Sequence, residues 1–356
     1  MHIPDGYLSP ATCATLYAAS APFWYVASQK VKKALSSRTV PLLALFSAFS
    51  FVVMMFNVPL PGGTTGHAVG AALMAIVLGP WAAVIGVSVA LAIQALLFGD
   101  GGILTLGANC FNMAVVIPFV AYGIYTLGSG SSPATSARRP VAAFIAGYVG
   151  ITMAAFFTGL ELGVQPALFS ANGVPLYFPY DLGVSIPAMV IPHLAVASFA
   201  EGIVTAAVLA YLQRAHPSLL ERRRPLAAPV EGGEPAVPAP AGRRLPAALW
   251  VGLGVIVVLT PLGLLAPGGA WAEWGPDEVE QLVGSVPAGM KSLMSLWPAP
   301  LPDYTIPGLE GSFSGQSLAY ILSAAIGVGL IALVWWGASR VLGRRGIGER
   351  SIDHPA

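Results

Sequence analysis

The chain has 356 residues, of which 56% are hydrophobic and only 9% are charged. Soluble proteins of this length carry about a quarter charged residues, so this chain has too little polar surface to cover a core in water. The composition indicates a polytopic membrane protein, because a surface that faces the lipid bilayer must itself be apolar. The net charge of +1 gives no reason to expect a nucleic-acid partner.

The N-terminus, MHIPDGYLSP, does not have the pattern of a secretory signal. It has no basic stretch, and turn-forming residues at positions 4 to 6 interrupt it. The first apolar run begins near residue 11 and is followed by basic residues between positions 30 and 38. This pattern predicts a retained span whose far end stays in the cytoplasm.

Eight apolar stretches come close to the ~20 residues that a helix needs to cross a bilayer. They are residues 11–29, 40–57, 81–98, 109–127, 141–160, 187–212, 246–266 and 317–340. A shorter stretch from His67 to Leu78 would span roughly 18 Å as a helix, less than the ~30 Å hydrocarbon core. We expect a half-height helix there, capped by the preceding Thr64-Thr65-Gly66. The sequence therefore predicts an all-α fold, with a seven-segment bundle and a C-terminal two-helix hairpin.

The basic residues indicate how these segments are oriented. With the N-terminus outside and nine segments crossing in turn, every Lys and Arg except Lys291 falls on the cytoplasmic side. Cytoplasmic loops of membrane proteins are enriched in these residues. We therefore expect a multi-pass protein of a bacterial or archaeal cell membrane, with an extracytoplasmic N-terminus and a cytoplasmic C-terminus.

A stretch rich in Pro, Ala and Gly divides the chain. Residues 216–245 cannot form a packed core and are predicted to be a cytoplasmic linker. They separate a transmembrane domain, residues 1–215, from a hairpin, residues 246–345, and a cytoplasmic tail follows at 346–356. The hairpin's outer loop has four large aromatic residues that we expect to anchor it at the lipid interface: Trp271, Trp274, Trp297 and Tyr304.

The first two residues can bind a metal ion. The free amine of Met1, the amide nitrogen of His2 and the His2 imidazole can chelate one ion in fused rings. A planar nitrogen set favours Ni²⁺ or Cu²⁺. His67, on the same side of the membrane, is the candidate for the fourth nitrogen. The alternatives are a frayed N-terminus and a structural histidine.

Other polar residues are weaker candidates. Asp100 and Asn109 flank a glycine-rich outer loop and could brace metal ligands, as could Asp5, although such residues also suit a tight turn. His193 and Glu201 lie eight positions apart in one predicted span. Ionisable residues within a membrane are candidates for function, but these two could equally form a buried polar pair that orients helices.

The two cysteines, Cys13 and Cys110, do not form a metal-binding motif. They fit small buried residues, although a disulfide across the outer surface stays open.

MHIPDGYLSP, the position of His67, and QALLFGDGGILTLGANCFNMA together resemble the NikM/CbiM family. These proteins are the substrate-binding components of energy-coupling-factor (ECF) nickel and cobalt transporters. The resemblance covers residues 1 to about 215, and the hairpin resembles the small N component of the same systems, here fused on. It implies a metal ion held by the Met1 amine, the His2 amide and imidazole, and the His67 imidazole. It also implies two kinds of partner, a transmembrane coupling (T) protein and ABC-type ATPase subunits.

The leading hypothesis is therefore high-affinity capture of Ni²⁺ as the binding component of an ATP-driven importer, with no cofactor of its own. The chain has no GxxxxGK[ST] motif and is not expected to be an enzyme, so ATP hydrolysis falls to partner subunits. A cobalt importer for cobalamin biosynthesis is the main alternative. An intramembrane metalloenzyme using His193 and Glu201 and a free-standing ion channel are more distant ones.

Overall fold

The computed structural model describes residues 1–34, 39–220, 247–266 and 268–348. Most of the predicted linker and most of the predicted tail, residues 221–246 and 349–356, lie outside the described residues. The described chain is mostly helical, and its only strands are two short antiparallel pairs. The strands are β1 (Val58–Leu60) with β2 (Thr64–Gly66) and β3 (Ser170–Ala171) with β4 (Val174–Pro175).

The helices follow the apolar stretches of the sequence. In chain order they are α1 (Pro10–Ala34), α2 (Thr39–Met54), α3 (Ala71–Leu78), α4 (Pro80–Ile93), α5 (Leu106–Asn109), α6 (Ile117–Ser129), α7 (Arg138–Gly163), α8 (Gln165–Leu168), α9 (Leu182–Pro192), α10 (Ser198–Ala215), α11 (Ala247–Leu259), α12 (Pro276–Val283), α13 (Ala288–Leu293) and α14 (Phe313–Gly348). Three π-helical turns extend or join them, at Gln94–Phe98, Cys110–Val116 and His193–Ala197.

Six helical segments within the described ranges are long and apolar enough to cross a membrane. They are Pro80–Phe98, Leu106–Ser129, Arg138–Leu168, Leu182–Ala215, Ala247–Leu265 and Phe313–Val341. The predicted spans 11–29 and 40–57 correspond to α1 and α2, which are not among the six; α2 is apolar but has only 16 residues. The prediction of an all-α, multi-pass membrane protein is confirmed.

The short helix α3 begins later than the sequence indicated. It starts at Ala71, and His67 lies four residues earlier, in the link that follows β2. Gly70 has a φ of 72°, which ends the helical backbone on that side. The predicted cap by Thr64-Thr65-Gly66 is also wrong, because Gly70 and not this tripeptide directly precedes α3.

Glu201, on α10, takes the place of that cap. Its carboxyl group accepts hydrogen bonds from the backbone N–H groups of Val69, Gly70 and Ala72, at 2.7, 2.9 and 3.4 Å. The first N–H groups of any helix lack partners within the helix. The Ala72 N–H lies in the first turn of α3 and the other two directly precede it, so a buried acid from a neighbouring span satisfies the buried backbone where α3 begins.

The bundle and the hairpin pack directly against each other. Helix α7 is central to the bundle and contacts α6, α9 and α10. Helix α14 of the hairpin lies along α2, where Trp335 Nε1 donates a hydrogen bond to Ser47 Oγ at 3.1 Å. Cys13 and Cys110 are both buried and free, so they form no disulfide.

The hairpin's outer loop folds back over the bundle. Its backbone bonds to three separate outer segments: Thr65 N to Gly269 O at 3.3 Å, Met290 N to Leu176 O at 2.9 Å, and Leu301 N to Leu97 O at 2.9 Å. The loop thereby covers the end of the bundle at which the N-terminal segment lies.

The predicted anchoring of this loop at the lipid interface is wrong for Tyr304 and stays a prediction for the three tryptophans. Trp271 and Trp274 pack against the rings of Phe178 and Tyr180. Tyr304 is 5% exposed and bonds to Asp100. Ring contacts hold the two tryptophans against the bundle, and the hydroxyl bond to Asp100 holds Tyr304 inside the protein.

We expect Glu201→Gln to lower stability by about 1.5–3 kcal/mol, because a buried acceptor of several backbone N–H groups is weakened. Thermal unfolding in detergent should show this, together with faster amide exchange in α3. Glu280→Gln is the matched control, since Glu280 is an exposed acid on α12. An equal loss in both variants would contradict the capping role.

Candidate metal centre

The N-terminus is buried inside the protein and is not frayed. Met1, His2 and Ile3 are 6%, 3% and 1% exposed. The Asn109 side chain pairs with the main chain of Ile3: Oδ1 accepts from the Ile3 N–H at 2.8 Å, and Nδ2 donates to the Ile3 carbonyl at 3.1 Å. The same carbonyl accepts from Gly102 N at 3.0 Å and from Thr105 Oγ1.

Asp5 fixes the segment to the loop that follows α4. Its carboxylate accepts from the backbone N–H groups of Ile103, Leu104 and Thr105, at 3.0, 2.8 and 3.3 Å. The close approach of Asp5 to this loop requires glycine at position 102, where a Cβ atom would lie 1.9 Å from Asp5 Oδ1. The glycines of GDGG therefore admit the N-terminal segment, and Asp5 docks the segment without contacting an imidazole.

Residues 7 to 9 are held by three other regions. The Tyr7 hydroxyl donates to Trp274 O at 2.9 Å and accepts from Trp274 N at 3.0 Å. Phe178 N donates to Tyr7 O at 3.2 Å, and Ser9 N donates to Gln165 Oε1 at 3.0 Å. The segment is thus fixed along its whole length before α1 begins.

This docking brings the His2 and His67 rings together. Their centroids are 5.0 Å apart, with the planes tilted by 34°. Both ring nitrogens of His2 and the Nε2 of His67 are buried and have no hydrogen-bond partner among the described residues. His67 Nδ1 lies 3.1 Å from the Ala68 carbonyl, which makes Nδ1 the protonated nitrogen and leaves the Nε2 lone pair free. Buried polar atoms without partners are costly and rare, so these three nitrogens are suited to binding a metal ion.

Both imidazoles are held in the neutral form that binds metal ions. Burial lowers the pKa of His2 to about 4, and the positively charged N-terminus adds to this, while Glu273 and Gln94 act in the opposite direction. The pKa of His67 is lowered well below its usual value by burial first, and then by the N-terminal amine, His2 and His193. No proton needs to be displaced from either ring at neutral pH.

Two acids lie beside these nitrogens. The Met1 amine forms an ion pair with Glu273 Oε1 at 2.9 Å, and Asp100 Oδ1 lies 3.0 Å from His2 Nδ1, in a contact not aligned as a hydrogen bond. Asp100 Oδ2 accepts from the Tyr304 hydroxyl at 2.5 Å and from Gln94 Nε2 at 3.2 Å. Burial raises the pKa of Asp100 above its usual value.

The sequence analysis missed Glu273, Gln94 and Tyr304. Glu273 comes from the hairpin loop, 272 positions from the amine it binds. Its only sequence signal is its place as a lone acid within WAEW, next to two large aromatic residues that pack on the bundle.

The predicted site residues separate into two groups. The structure brings together Met1, His2, His67 and Asp100, while Asp5 and Asn109 hold the N-terminal backbone. The predicted pairing of His193 with Glu201 is wrong: no hydrogen bond joins them in the described chain, because Glu201 is engaged by α3. His193 Nδ1 lies 2.6 Å from Met189 O, and a π-helical turn at His193–Ala197 separates the two residues.

The sequence matches the profiles of two known protein families. The family profile described as "Cobalt uptake substrate-specific transmembrane region" (CbiM) matches residues 2–219. The chain belongs to this family. A second profile, the PDGLE domain, matches residues 246–344, which include Glu273 and Tyr304.

Relatives extend the similarity over almost the whole chain. It is 48% identical to the "Fused nickel transport protein NikMN" of Rhodobacter capsulatus, covering 93% of this chain and 95% of that protein. It is 43% identical to the "Probable fused nickel transport protein LarMN" of Lactiplantibacillus plantarum, covering 94% and 96%. A solved structure of a truncated transition metal transporter is 56% identical, with a TM-score of 0.56, over 60% of this chain and 98% of that one.

We expect Asn109→Ala to release the N-terminal segment, because both main-chain bonds to Ile3 are lost and each is worth about 1 kcal/mol. Amide exchange in residues 2–9 should become roughly tenfold faster or more. Asn112→Ala is the matched control, since Asn112 bonds to Thr158 and Glu161 instead. Unchanged exchange in Asn109→Ala would show that Asp5 and Tyr7 suffice for docking.

Proposed function

We propose that this protein captures Ni²⁺ at its own N-terminus, as the substrate-binding component of a transition-metal importer. The observation that supports this proposal is the pair of neutral, buried His2 and His67 rings next to a docked N-terminal amine. Both ring nitrogens of His2 and the Nε2 of His67 lack hydrogen-bond partners among the described residues. The ligands in this proposal are the Met1 amine, the His2 amide and imidazole nitrogens, and the His67 imidazole.

Nickel is favoured over other divalent ions by this set. A planar arrangement of four nitrogens, one of them an anionic amide, suits Ni²⁺, whereas Zn²⁺ prefers a tetrahedron. The relatives similar over nearly the whole chain are named nickel transport proteins, which supports the same cargo here. Co²⁺ remains the second candidate, because the matching family profile is described by cobalt uptake.

The proposal includes the remaining parts of an importer. Energy for transport comes from ABC-type ATPase partners, joined to this chain by a transmembrane coupling protein, because the sequence has no phosphate-binding loop of its own. The charge distribution supports an extracytoplasmic N-terminus and a cytoplasmic C-terminus. Residues 1–215 form the binding domain and residues 246–345 the hairpin domain.

The ligand set is tested at the N-terminus. Adding one Ala before Met1 should abolish Ni²⁺ binding, because the amine moves away from the chelate and the buried end has no room for it. His67→Ala should also cause a large loss of affinity and abolish the absorption band of planar, diamagnetic Ni²⁺. Calorimetric titration and absorption spectra of the purified chain measure both.

His216→Ala is the control for this test, since His216 lies at the far end of α10. An N-terminally extended chain that binds Ni²⁺ normally would contradict the assignment of the Met1 amine as a ligand. A six-coordinate, paramagnetic Ni²⁺ spectrum would show that the coordination is wrong while leaving the transporter assignment intact.

Nickel binding should weaken in acid and release protons. The amine is an ammonium in its ion pair with Glu273, and the His2 amide carries its own proton, so both must be lost on binding. The imidazoles release none at neutral pH, because their pKa values are already low. Calorimetry in buffers of different ionisation enthalpy measures the protons released, and a value of zero at neutral pH would rule out the amide ligand.

A further inference from the structure

A half-open cleft lies beside the candidate metal centre, and Asp100 and Glu273 belong to both. Its volume is about 720 Å³, and the hairpin loop supplies most of its lining. Four acidic residues line it against a single basic one, Lys291; the acids are Asp100, Glu273, Glu278 and Asp303. A cleft lined mainly by one sign of charge concentrates ions of the opposite sign.

Two of these acids, together with His2, have the geometry of a cation site. One ligand atom from each of His2, Asp100 and Glu273 lies within 4.8 Å of the other two. His2 is 3% exposed, and neither of its ring nitrogens has a hydrogen-bond partner in the described residues. The cluster therefore combines two carboxylates with a buried imidazole that lacks a partner.

The two carboxylates are oriented towards a shared ion. Tyr304 and Gln94 hold Asp100 by Oδ2, which leaves Oδ1 facing His2. Glu273 bonds to the Met1 amine through Oε1, and no described hydrogen bond reaches its Oε2. Gln94 is fully buried, and its Oε1 has no partner, so a further oxygen is available beside the cluster.

We propose that His2, Asp100 and Glu273 form a second, outer cation site, which holds an incoming partly hydrated divalent ion before the four-nitrogen chelate takes it. The inference rests on the proposed function for the ion's destination. The outer site uses carboxylate oxygens from both the bundle and the hairpin loop, together with the imidazole that the inner chelate also uses.

The chemistry of the outer site differs from that of the inner one. Carboxylates and one imidazole accept Mn²⁺, Co²⁺ or Ni²⁺ with several waters retained, in the usual order of affinity Mn²⁺ < Co²⁺ < Ni²⁺. The ammonium of Met1 competes for Glu273, so binding is weak, on the order of 10⁻⁴–10⁻³ M as in carboxylate sites for extracellular calcium. Because His2 is shared, an ion in the chelate excludes one from the outer site.

Mn²⁺ is the probe for this site, because it prefers oxygen ligands and gives a paramagnetic resonance signal only when free in solution at room temperature. The full chain, nickel-free and in detergent, should bind one Mn²⁺. Glu273→Gln and Asp100→Asn should each weaken this binding tenfold or more. Glu278→Gln, in the same cleft but outside the cluster, is the matched control and should bind Mn²⁺ as the native chain does.

A second pair of variants separates the outer site from the chelate. His67→Ala should keep Mn²⁺ and lose the planar Ni²⁺ spectrum, whereas His2→Ala should lose both. A Ni²⁺ spectrum retained in Glu273→Gln shows that the N-terminal segment is still docked in that variant.

The proposal of an outer site is overturned if the native chain binds no Mn²⁺ or if Glu273→Gln binds Mn²⁺ as tightly as the native chain. It is also overturned if Glu278→Gln weakens Mn²⁺ binding as much as Glu273→Gln does. It is also overturned if His67→Ala loses Mn²⁺, since the ion then sits in the nitrogen site. Failure of the proposed function has a different signature, a native chain that shows no high-affinity Ni²⁺ binding, and the Mn²⁺ results do not depend on it.

Discussion

The two hydrogen bonds between the Asn109 side chain and the main chain of Ile3 place the N-terminus inside the protein. A chain end normally frays, because ordering each residue costs about 1–2 kcal/mol of backbone entropy. Here the cost is offset by burial of Ile3, Tyr7 and Leu8, which are 1%, 0% and 0% exposed, and by the three backbone bonds to Asp5. The position of His2 depends on this docking, and so does every contact that His2 makes at the candidate metal centre.

The C-terminal hairpin completes a site that the bundle alone leaves open. Trp274 bonds to the Tyr7 hydroxyl twice, Tyr304 orients Asp100, and Glu273 neutralises the N-terminal amine. All three residues lie in the segment matched by the PDGLE profile. The two ends of the chain therefore meet at one place, which gives a physical reason for the near full-length similarity to fused transport proteins.

The sequence alone predicted those parts of the site that depend on local chemistry. The chelating atoms of Met1 and His2 are adjacent in the chain, and the glycines around Asp100 indicate a close backbone approach. The all-α membrane fold follows from apolar stretches whose length is set by the bilayer.

The parts that the sequence did not predict depend on contacts between distant residues. The start of α3 is fixed by Glu201, 132 positions away from the Val69 N–H that it accepts. Glu273 and Tyr304 reach the centre only because the loop packs on the bundle. Residue type alone indicated the lipid interface for Trp271 and Trp274, and it could not show their packing against Phe178, which comes from a distant part of the chain.

A buried site for a doubly charged ion raises an electrostatic problem, and the proposed ligand set solves it. Without metal, the centre contains one ammonium and a neutral amide. With Ni²⁺ bound, it contains two added positive charges, a neutral amine and an anionic amide, so the net charge is the same in both states. Asp100 and Glu273 contribute equally to each. The exchange of two protons for one divalent ion thus avoids placing an uncompensated charge among buried groups, where it would be costly. It also requires two protons to leave, and the acidic cleft lined by Glu273, the partner of the amine, offers a route to the protein surface.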